Sequence, residues 1–330
     1  MDTSTTTREF TLEFLQQITD NFSEKHVIGR GGYGVVYKGV LENGEEIALK
    51  KLHHVSGLDD TQFMNEFNHL MRAQHPNITR LVGYCYYTGH QRIKFNGDYV
   101  FSFVDERVLC FEYLEGGSLD KHISDESCGL DWHTCFKIIK GVCEGLNYLH
   151  NGSNDPIYHL DLKPANILLD KNMVPKIGDF GLSRLFPSTQ THVTIKIIGT
   201  PGYMPPEYIE RHEITSKYDV FSLGVIIVRM MAGNEGYSRY AHMSSQEFLE
   251  HVYENWEKRL QEKLPSPIFE QITICIELAL RCLEVCREER PTIAEIVDEL
   301  NKVDTGESSH TGQDCQVARN QNTNSGKLLH

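Results

Sequence analysis

The strongest constraint on this fold is a glycine cluster, Gly29-Arg30-Gly31-Gly32-Tyr33-Gly34, taken with the residues that follow it. The spacing fits GxGxxG, which serves phosphate binding in more than one architecture and also arises in ordinary tight turns. In a dinucleotide-binding unit the third glycine opens a helix. Here Val35-Val36-Tyr37 follows, a β-branched and aromatic run that favours a strand. No Lys-Ser or Lys-Thr pair comes after the glycines, which removes the Walker phosphate loop. What remains is a loop between two antiparallel strands, whose bare backbone can lie close over phosphate groups.

The flanking segments extend this reading. Asn43-Gly44 separates Val40-Leu41 from Glu46-Ile47-Ala48-Leu49, and Asn-Gly favours the type I′ turn that matches strand twist, so a hairpin is expected. Lys50 ends that strand, where a lone lysine is normally just solvated. Downstream, Phe63, Phe67, Leu70 and Met71 mark one face of a helix, and Glu66 falls about 40° from Leu70 at its edge. A carboxylate turned toward a core is costly unless paired. Lys50 is the natural partner, and the pair would aim the ammonium at phosphates; the bland alternative is an exposed Glu66. Beyond Leu114 the apolar periodicity becomes helical, over 132–150, 216–232, 269–283 and 292–303. The chain therefore reads as α+β, a small β-rich part followed by a larger helical part. A cleft between two such parts is a common ligand site.

Composition narrows the setting. At 330 residues there is room for two domains or one large one, at roughly 150 residues per domain. A net charge of −14 disfavours nonspecific binding to nucleic acid or anionic membranes. The nine cysteines are scattered without a CxxC pair, so neither a zinc ribbon nor a thioredoxin-type motif is supported. MDTSTTTREF lacks the cationic flank and apolar run of a signal peptide, and Asp2 in place of glycine removes N-myristoylation. The apolar stretch 220–231 is too short to span a membrane and contains Arg229. No transmembrane segment and no nucleic-acid partner are expected, and a reduced cytoplasmic compartment is the simplest location. Residues 1–21 read as an N-terminal extension with one amphipathic patch, Phe10, Leu12, Phe14, Leu15 and Ile18, suited to a short docking helix. Residues 304–330 carry too few apolar side chains to offset chain entropy and read as a disordered tail.

The segment His159-Leu160-Asp161-Leu162-Lys163-Pro164-Ala165-Asn166 has HxDxxxxN spacing, and Asp179-Phe180-Gly181 follows a short distance on. Taken with GRGGYGVVYKG, HPNITRLVGYC, YHLDLKPANILLD, KIGDFGLSRLF and GTPGYMPPEY, the chain resembles eukaryotic protein kinases of the plant receptor-like group. Within that group it is similar to the non-RD receptor-like cytoplasmic kinases of grasses. The resemblance implies a bilobal protein kinase fold over 22–303, with the small lobe at about 22–113 and the large lobe at about 114–303.

The resemblance also implies roles. Asp161 would accept the proton of the substrate hydroxyl, orienting it more than deprotonating it, because phosphoryl transfer passes through a loose transition state. Lys163 would neutralise the γ-phosphate, as in serine/threonine kinases, and Thr200 supports the same substrate class. Asn166 and Asp179 would hold Mg²⁺, with Mn²⁺ as a substitute. Lys50, paired with Glu66, would hold the ATP phosphates beneath Gly29, Gly31 and Gly34. The adenine would lie between Val36 and Ala48 above and Leu168 below, with Phe111 as gatekeeper and the backbone of Glu112 to Leu114 at its edge. Leu70, His159 and Phe180 would form a packed column anchored by Asp219, and Glu207 would pair with Arg290. The implied function is a serine/threonine protein kinase in plant signalling or defence, with protein substrates. Membrane receptor kinases are candidate partners that would recruit it to the plasma membrane. The alternative is a kinase-fold scaffold or decoy that binds nucleotide or partners without phosphotransfer; intact Lys50, Asp161, Asn166 and Asp179 weigh against it.

Three departures stand out. Leu160 replaces the arginine that normally receives a phosphate on the activation loop, so activity should depend less on loop phosphorylation. Candidate loop hydroxyls are Ser183, Ser188, Thr189, Thr191 and Thr194. Pro205-Pro206-Glu207 stands where Ala-Pro-Glu is usual, which leaves the glutamate in place, a modest change. The segment 90–107 is longer than a minimal hairpin and reads as an elongated surface hairpin, with a partner-docking edge as the sharper reading.

Overall fold

A computed structural model describes residues 7–53, 59–123, 129–185, 191–194, 198–234, 236–261 and 263–305. The tail beyond these, and the loop positions Ser188 and Thr189, lie outside the described residues. The segment ahead of the glycine cluster supplies strand β1 (Arg8–Glu9) and helix α1 (Leu12–Ile18), which Thr11 caps by accepting from the Phe14 N–H. Leu12 and Leu15 of α1 are buried against Tyr37, Leu41, Ile47 and Val108, so this segment packs into the small lobe. β2 (Val27–Gly31), β3 (Gly34–Val40) and β4 (Glu46–Leu52) then run antiparallel.

Of the three Asn-Gly pairs, the two that lie between strands behave differently. At Asn43-Gly44 only the glycine has positive φ, 83°, and the link is a wider loop closed by Leu41 N–H to the Glu45 carbonyl at 2.9 Å. This corrects the expected type I′ turn, which needs positive φ at both central residues. The reason is Leu41: it leaves the strand to be buried in the α1 cluster. The type I′ pattern appears instead at Asn96-Gly97, with φ of 51° and 96°, between β5 (Leu81–Phe95) and β6 (Asp98–Glu112). β6 continues past its pairing with β4, at residues 108–112, so the far half of this hairpin stands clear of the sheet. Phe95, Tyr99, Phe101 and Phe103 are each more than half exposed there. All six strands form one sheet in the order β1-β5-β6-β4-β3-β2.

Helix α2 (Asp59–Arg72) packs on this sheet through Phe63, Phe67 and Leu70. Met71, expected on the same face, is exposed instead. It falls roughly 100° round the helix from Leu70, off the stripe that Phe63, Glu66 and Leu70 define.

The large lobe contains α3 (Trp132–Asn151), α4 (Pro206–Arg211), α5 (Lys217–Ala232), α6 (Gly236–Tyr240), α7 (Ser245–Leu260), α8 (Ser266–Cys282) and α9 (Ile293–Asp304). Asp131 caps α3, and capping boxes Ser244/Glu247 and Thr292/Glu295 start α7 and α9. α5 is buried over nearly its whole length, as an all-round apolar helix must be. Its Arg229 is accommodated by donating from Nη1 to the Tyr203 hydroxyl at 2.6 Å. Among the described residues no helix is long and apolar enough to cross a membrane. One apolar cluster joins Leu70 and Phe111 of the small lobe to Phe180 and the α3–α5–α8 core, so the lobes share a spine of packing at their seam.

Candidate active site

The site is built where the end of β4, the inner face of α2 and three large-lobe loops converge. β4 delivers Lys50, opposite Val36 on β3 and Leu109 on β6. α2 delivers Glu66, which is only 1% exposed. Lys50 Nζ donates to both Glu66 oxygens, at 3.0 and 2.7 Å, and to Asp179 Oδ1 at 2.6 Å. Burial alone would lower the lysine pKa, but the Asp179 and Glu66 charges outweigh it and the net shift is upward. Burial likewise opposes ionisation of Asp179, yet Lys50 holds its carboxyl below the usual range. Burial instead pushes the Glu66 carboxyl up from its ordinary value, a shift that Lys50 opposes and the Asp179 charge adds to.

Asp179 has left-handed backbone, φ 61° and ψ 71°, a conformation an L-residue keeps only when its surroundings hold it. Behind it, the Gly178 carbonyl bonds His159 Nε2 at 2.9 Å. His159 Nδ1 accepts from the Asp161 N–H at 3.3 Å, so the ring is the Nε2–H tautomer. Leu160, φ 64°, is a second left-handed residue. Its N–H and that of His159 each donate to Asp219, at 2.8 Å. Asp219 is fully buried on α5; burial opposes its ionisation, but the His150 hydrogen bond and these N–H donors depress its pKa. This anchoring leaves Asp161 facing the cleft.

The Asp161 carboxylate is fully engaged. Oδ2 accepts from Lys163 Nζ at 2.8 Å and from Asn166 Nδ2 at 3.1 Å, while Oδ1 accepts from the Thr200 hydroxyl at 2.6 Å. Lys163 Nζ also reaches Thr200 Oγ1 at 2.8 Å, closing a triangle. Asp161 therefore already accepts from an alcohol, beside an ammonium. Asn166 Nδ2 donates to the Asp161 carbonyl at 2.8 Å, which leaves Oδ1 as the Asn166 atom able to bind a cation.

The glycines are not equivalent. A Cβ at Gly31 or Gly32 would meet nothing within 4 Å, so that backbone borders open space. At Gly34 it would lie 2.3 Å from the Lys51 carbonyl oxygen, so this glycine is demanded by the close approach of β3 to β4. Tyr33 at the loop tip lies near enough to the cleft that, after burial, the Asp161 and Asp179 charges raise its phenol pKa. Ala48 sits opposite Phe111 across the β4–β6 ladder, and Leu168 contributes Cδ1 near Gly178. Glu112 and Tyr113 N–H groups already donate to the Arg80 and Glu46 carbonyls, which directs attention to Leu114 as the backbone donor at this edge. Two open surface hollows, about 470 and 430 Å³, lie elsewhere, by Phe10 and Asn43 and by Val35 and Phe103.

Sequence spacing alone missed several supports. Asn77 and Thr79 hold the strand before Gly178 through the Pro175 and Ile177 carbonyls, at 2.9 and 3.1 Å. His69, one turn beyond Glu66, contacts Ser183. The available signal was a histidine three residues after Glu66 on a face otherwise apolar. Ser183, read from sequence as a candidate loop hydroxyl, is fully buried in the structure and is not presented for modification. Burial, with Arg184, Arg72 and His159 nearby, pushes His69 down to about 4 from 6.5. The unfolded chain then binds this proton first, so stability falls as pH drops through 6.5 and levels off below about 4. His69→Asn should therefore lose less stability than the parent between pH 7 and pH 4 in denaturant titrations; an equal loss would assign that acid sensitivity to other groups.

Residues 22–300 match the family described as the protein kinase domain. The G-type lectin S-receptor-like serine/threonine-protein kinase SRK of Arabidopsis thaliana is 38% identical over 303 residues, covering 86% of this chain and 33% of that protein. Cysteine-rich receptor-like protein kinases 41 and 44 of the same plant are each 39% identical over 295 residues, covering 86% of this chain and 42% and 74% of those proteins. The chain thus spans less than half the length of the first two relatives. With the lysine–glutamate–aspartate cluster and the engaged Asp161 in one cleft, this chain belongs to the eukaryotic protein kinase family, and its relatives are receptor-like serine/threonine-protein kinases.

Proposed function

We propose that this chain transfers the γ-phosphate of ATP to serine or threonine hydroxyls of proteins, in plant signalling or defence, as a receptor-like cytoplasmic kinase of the non-RD type. The observation that carries the reading is the Asp161–Lys163–Thr200 triangle facing the Lys50–Glu66–Asp179 cluster. One set holds an alcohol against a carboxylate; the other holds a cation for phosphates. Asn166 and Asp179 are oxygen donors of the hard kind that Mg²⁺ takes, usually one or two protein ligands completed by phosphates and water. Bound there, Mg-ATP would supply the transferable phosphoryl group and neutralise its charge, with Mn²⁺ as a substitute cation. Asp161 orients the substrate hydroxyl and takes its proton, Lys163 offsets the phosphoryl charge, and Lys50 fixes the phosphates. Val36, Ala48 and Leu168 sandwich the adenine, Phe111 limits its depth, and Leu114 bonds its edge.

The test is incubation of the purified chain with Mg²⁺, labelled ATP and a general protein substrate, beside Lys50→Ala and Asp161→Ala. Incorporation on serine or threonine that both variants lose is the expected result. Nucleotide binding with no turnover by the parent chain would favour the scaffold.

Leu160 supports activity without loop phosphorylation. It is fully buried with Tyr158, Met204, Tyr208, Ile214 and Tyr218, and Ile198 packs against the cluster. The Ile198 N–H donates to the Tyr208 hydroxyl at 2.6 Å, and the Tyr218 hydroxyl donates to the Ile198 carbonyl at 3.3 Å. Apolar contact and two phenols thus hold the loop end where an arginine–phosphate pair would otherwise act. Replacing Ser188, Thr189, Thr191 and Thr194 together by Ala should leave activity within about twofold, a barrier change below 1 kcal/mol. Leu160→Arg should instead destabilise the fold by several kcal/mol, because it places an unpaired charge among apolar side chains. Loss of activity in the fourfold alanine variant, with folding intact, would overturn this part of the reading.

A further inference from the structure

α2 makes two polar links to the segment that carries Asp179, and they lie one helical turn apart. The first is Glu66, through Lys50. The second is His69, whose Nδ1 lies 2.5 Å from Ser183 Oγ. Both groups are out of water: His69 is 4% exposed and Ser183 is 0% exposed. The direction of the bond can be worked out. Ser183 Oγ donates its single proton to the Phe180 carbonyl at 2.6 Å, and the Ser183 N–H also donates to that carbonyl at 3.1 Å. The serine oxygen is therefore an acceptor, and His69 must be the Nδ1–H tautomer donating to it.

The chain between the two links is short and strained. Asp179 is left-handed, and Phe180–Leu182 is a single 3₁₀ turn whose closing bond is the Phe180 carbonyl that Ser183 holds. Phe180 is fully buried with its ring 5.1 Å from that of His159. Lys50 pulls on Asp179 from one end of this turn, and His69 holds Ser183 at the other.

We propose that His69 and Ser183 form a positioning pair that ties the second turn of the active-site face of α2 to the Asp179 turn, so that Glu66 and Asp179 meet Lys50 together. The pair touches neither nucleotide nor substrate. It acts through Phe180 and Asp179, and its role in turnover rests on the kinase reading above. The competing account is a histidine that merely satisfies its own buried nitrogen.

Four variants separate these accounts: His69→Leu, Ser183→Ala, the double variant, and His69→Asn, whose Nδ2 can donate in place of Nδ1. The measurements are kcat and KM for ATP, the thermal midpoint, and hydrogen exchange of residues 178–185 without nucleotide. Loss of one buried hydrogen bond that orders the turn should lower kcat about 5- to 50-fold in either single variant. The double variant should be no slower than the slower single, and His69→Asn should recover most of the rate. Exchange at 178–185 should quicken in His69→Leu and Ser183→Ala. A His69→Leu chain with unchanged kcat, or rate losses that multiply in the double variant, would overturn the proposal. If the parent chain proves inactive, the kinase reading fails on its own, and exchange decides the pair: faster exchange at 178–185 in His69→Leu upholds it, and unchanged exchange ends it.

Discussion

Asp161→Asn is expected to lower kcat by about 10²- to 10⁴-fold, the range for loss of a positioned catalytic base. The amide keeps the shape of the carboxylate, so its oxygen can still accept from Lys163 or Thr200. It cannot serve both sides as an acceptor, and it cannot take a proton from the substrate alcohol. The parent geometry shows why the effect should fall on kcat more than on KM for ATP. Asp161 contacts Lys163, Asn166 and Thr200, whereas Lys50, the cation proposed for the phosphates, is held by Glu66 and Asp179. Steady-state phosphorylation with varied ATP makes the separation, and a thermal melt checks that the fold is retained. A variant that keeps more than a tenth of the parent kcat would remove Asp161 from the chemistry.

Arg290→Met should be the most damaging change to stability away from the cleft. The Arg290 side chain is fully buried, and its Nη1 and Nη2 donate to the two Glu207 oxygens at 2.8 Å each. Its Nε donates to the Glu284 carbonyl at 2.7 Å. Removing it leaves Glu207, which is 4% exposed, as a buried carboxylate without its partner. Such a break costs about 3–5 kcal/mol. For a chain of this size each kcal/mol shifts the thermal midpoint by about 2–4 °C, so a fall of about 6–20 °C is expected. Because the main cost is the stranded charge, Glu207→Leu combined with Arg290→Met should recover a large part of the loss. Differential scanning of the three chains tests this directly, and a single variant within about 2 °C of the parent would mean that water reaches Glu207.

Much of the site was legible because its signals are local. The strand after Gly34 could be read from Val35-Val36-Tyr37, and that decided between a helix-opening and a strand-to-strand glycine loop. Glu66 could be placed near the apolar face of its helix from angular arithmetic, and it is buried on Lys50. The same arithmetic failed at Met71, where including one residue too many widened the stripe beyond what the sheet covers. The Asn-Gly reading failed at Asn43, where Leu41 is buried in the α1 cluster, while both central residues take positive φ at Asn96-Gly97, at the free end of the long hairpin. The cysteines carried no signal. Those described are free thiols, most of them buried, with burial pushing Cys85 up to about 11 and Cys282 up to about 12.

From sequence alone came the two-part α+β plan, the strand-loop-strand glycine motif, and the chemical type of each candidate group. These follow from periods of two and 3.6 residues and from side-chain chemistry, all contained in short windows. Only the tertiary structure decided that α1 is packed on the small-lobe sheet, that Ser183 is a buried acceptor instead of an accessible hydroxyl, and that His69 is its donor. It also decided that Leu160 lies inside an apolar cluster with Tyr208 and Tyr218. Each of these depends on which distant segment removes water from the group. His69 and Ser183 are 114 residues apart in the chain, and desolvation across such a gap leaves no local pattern to read.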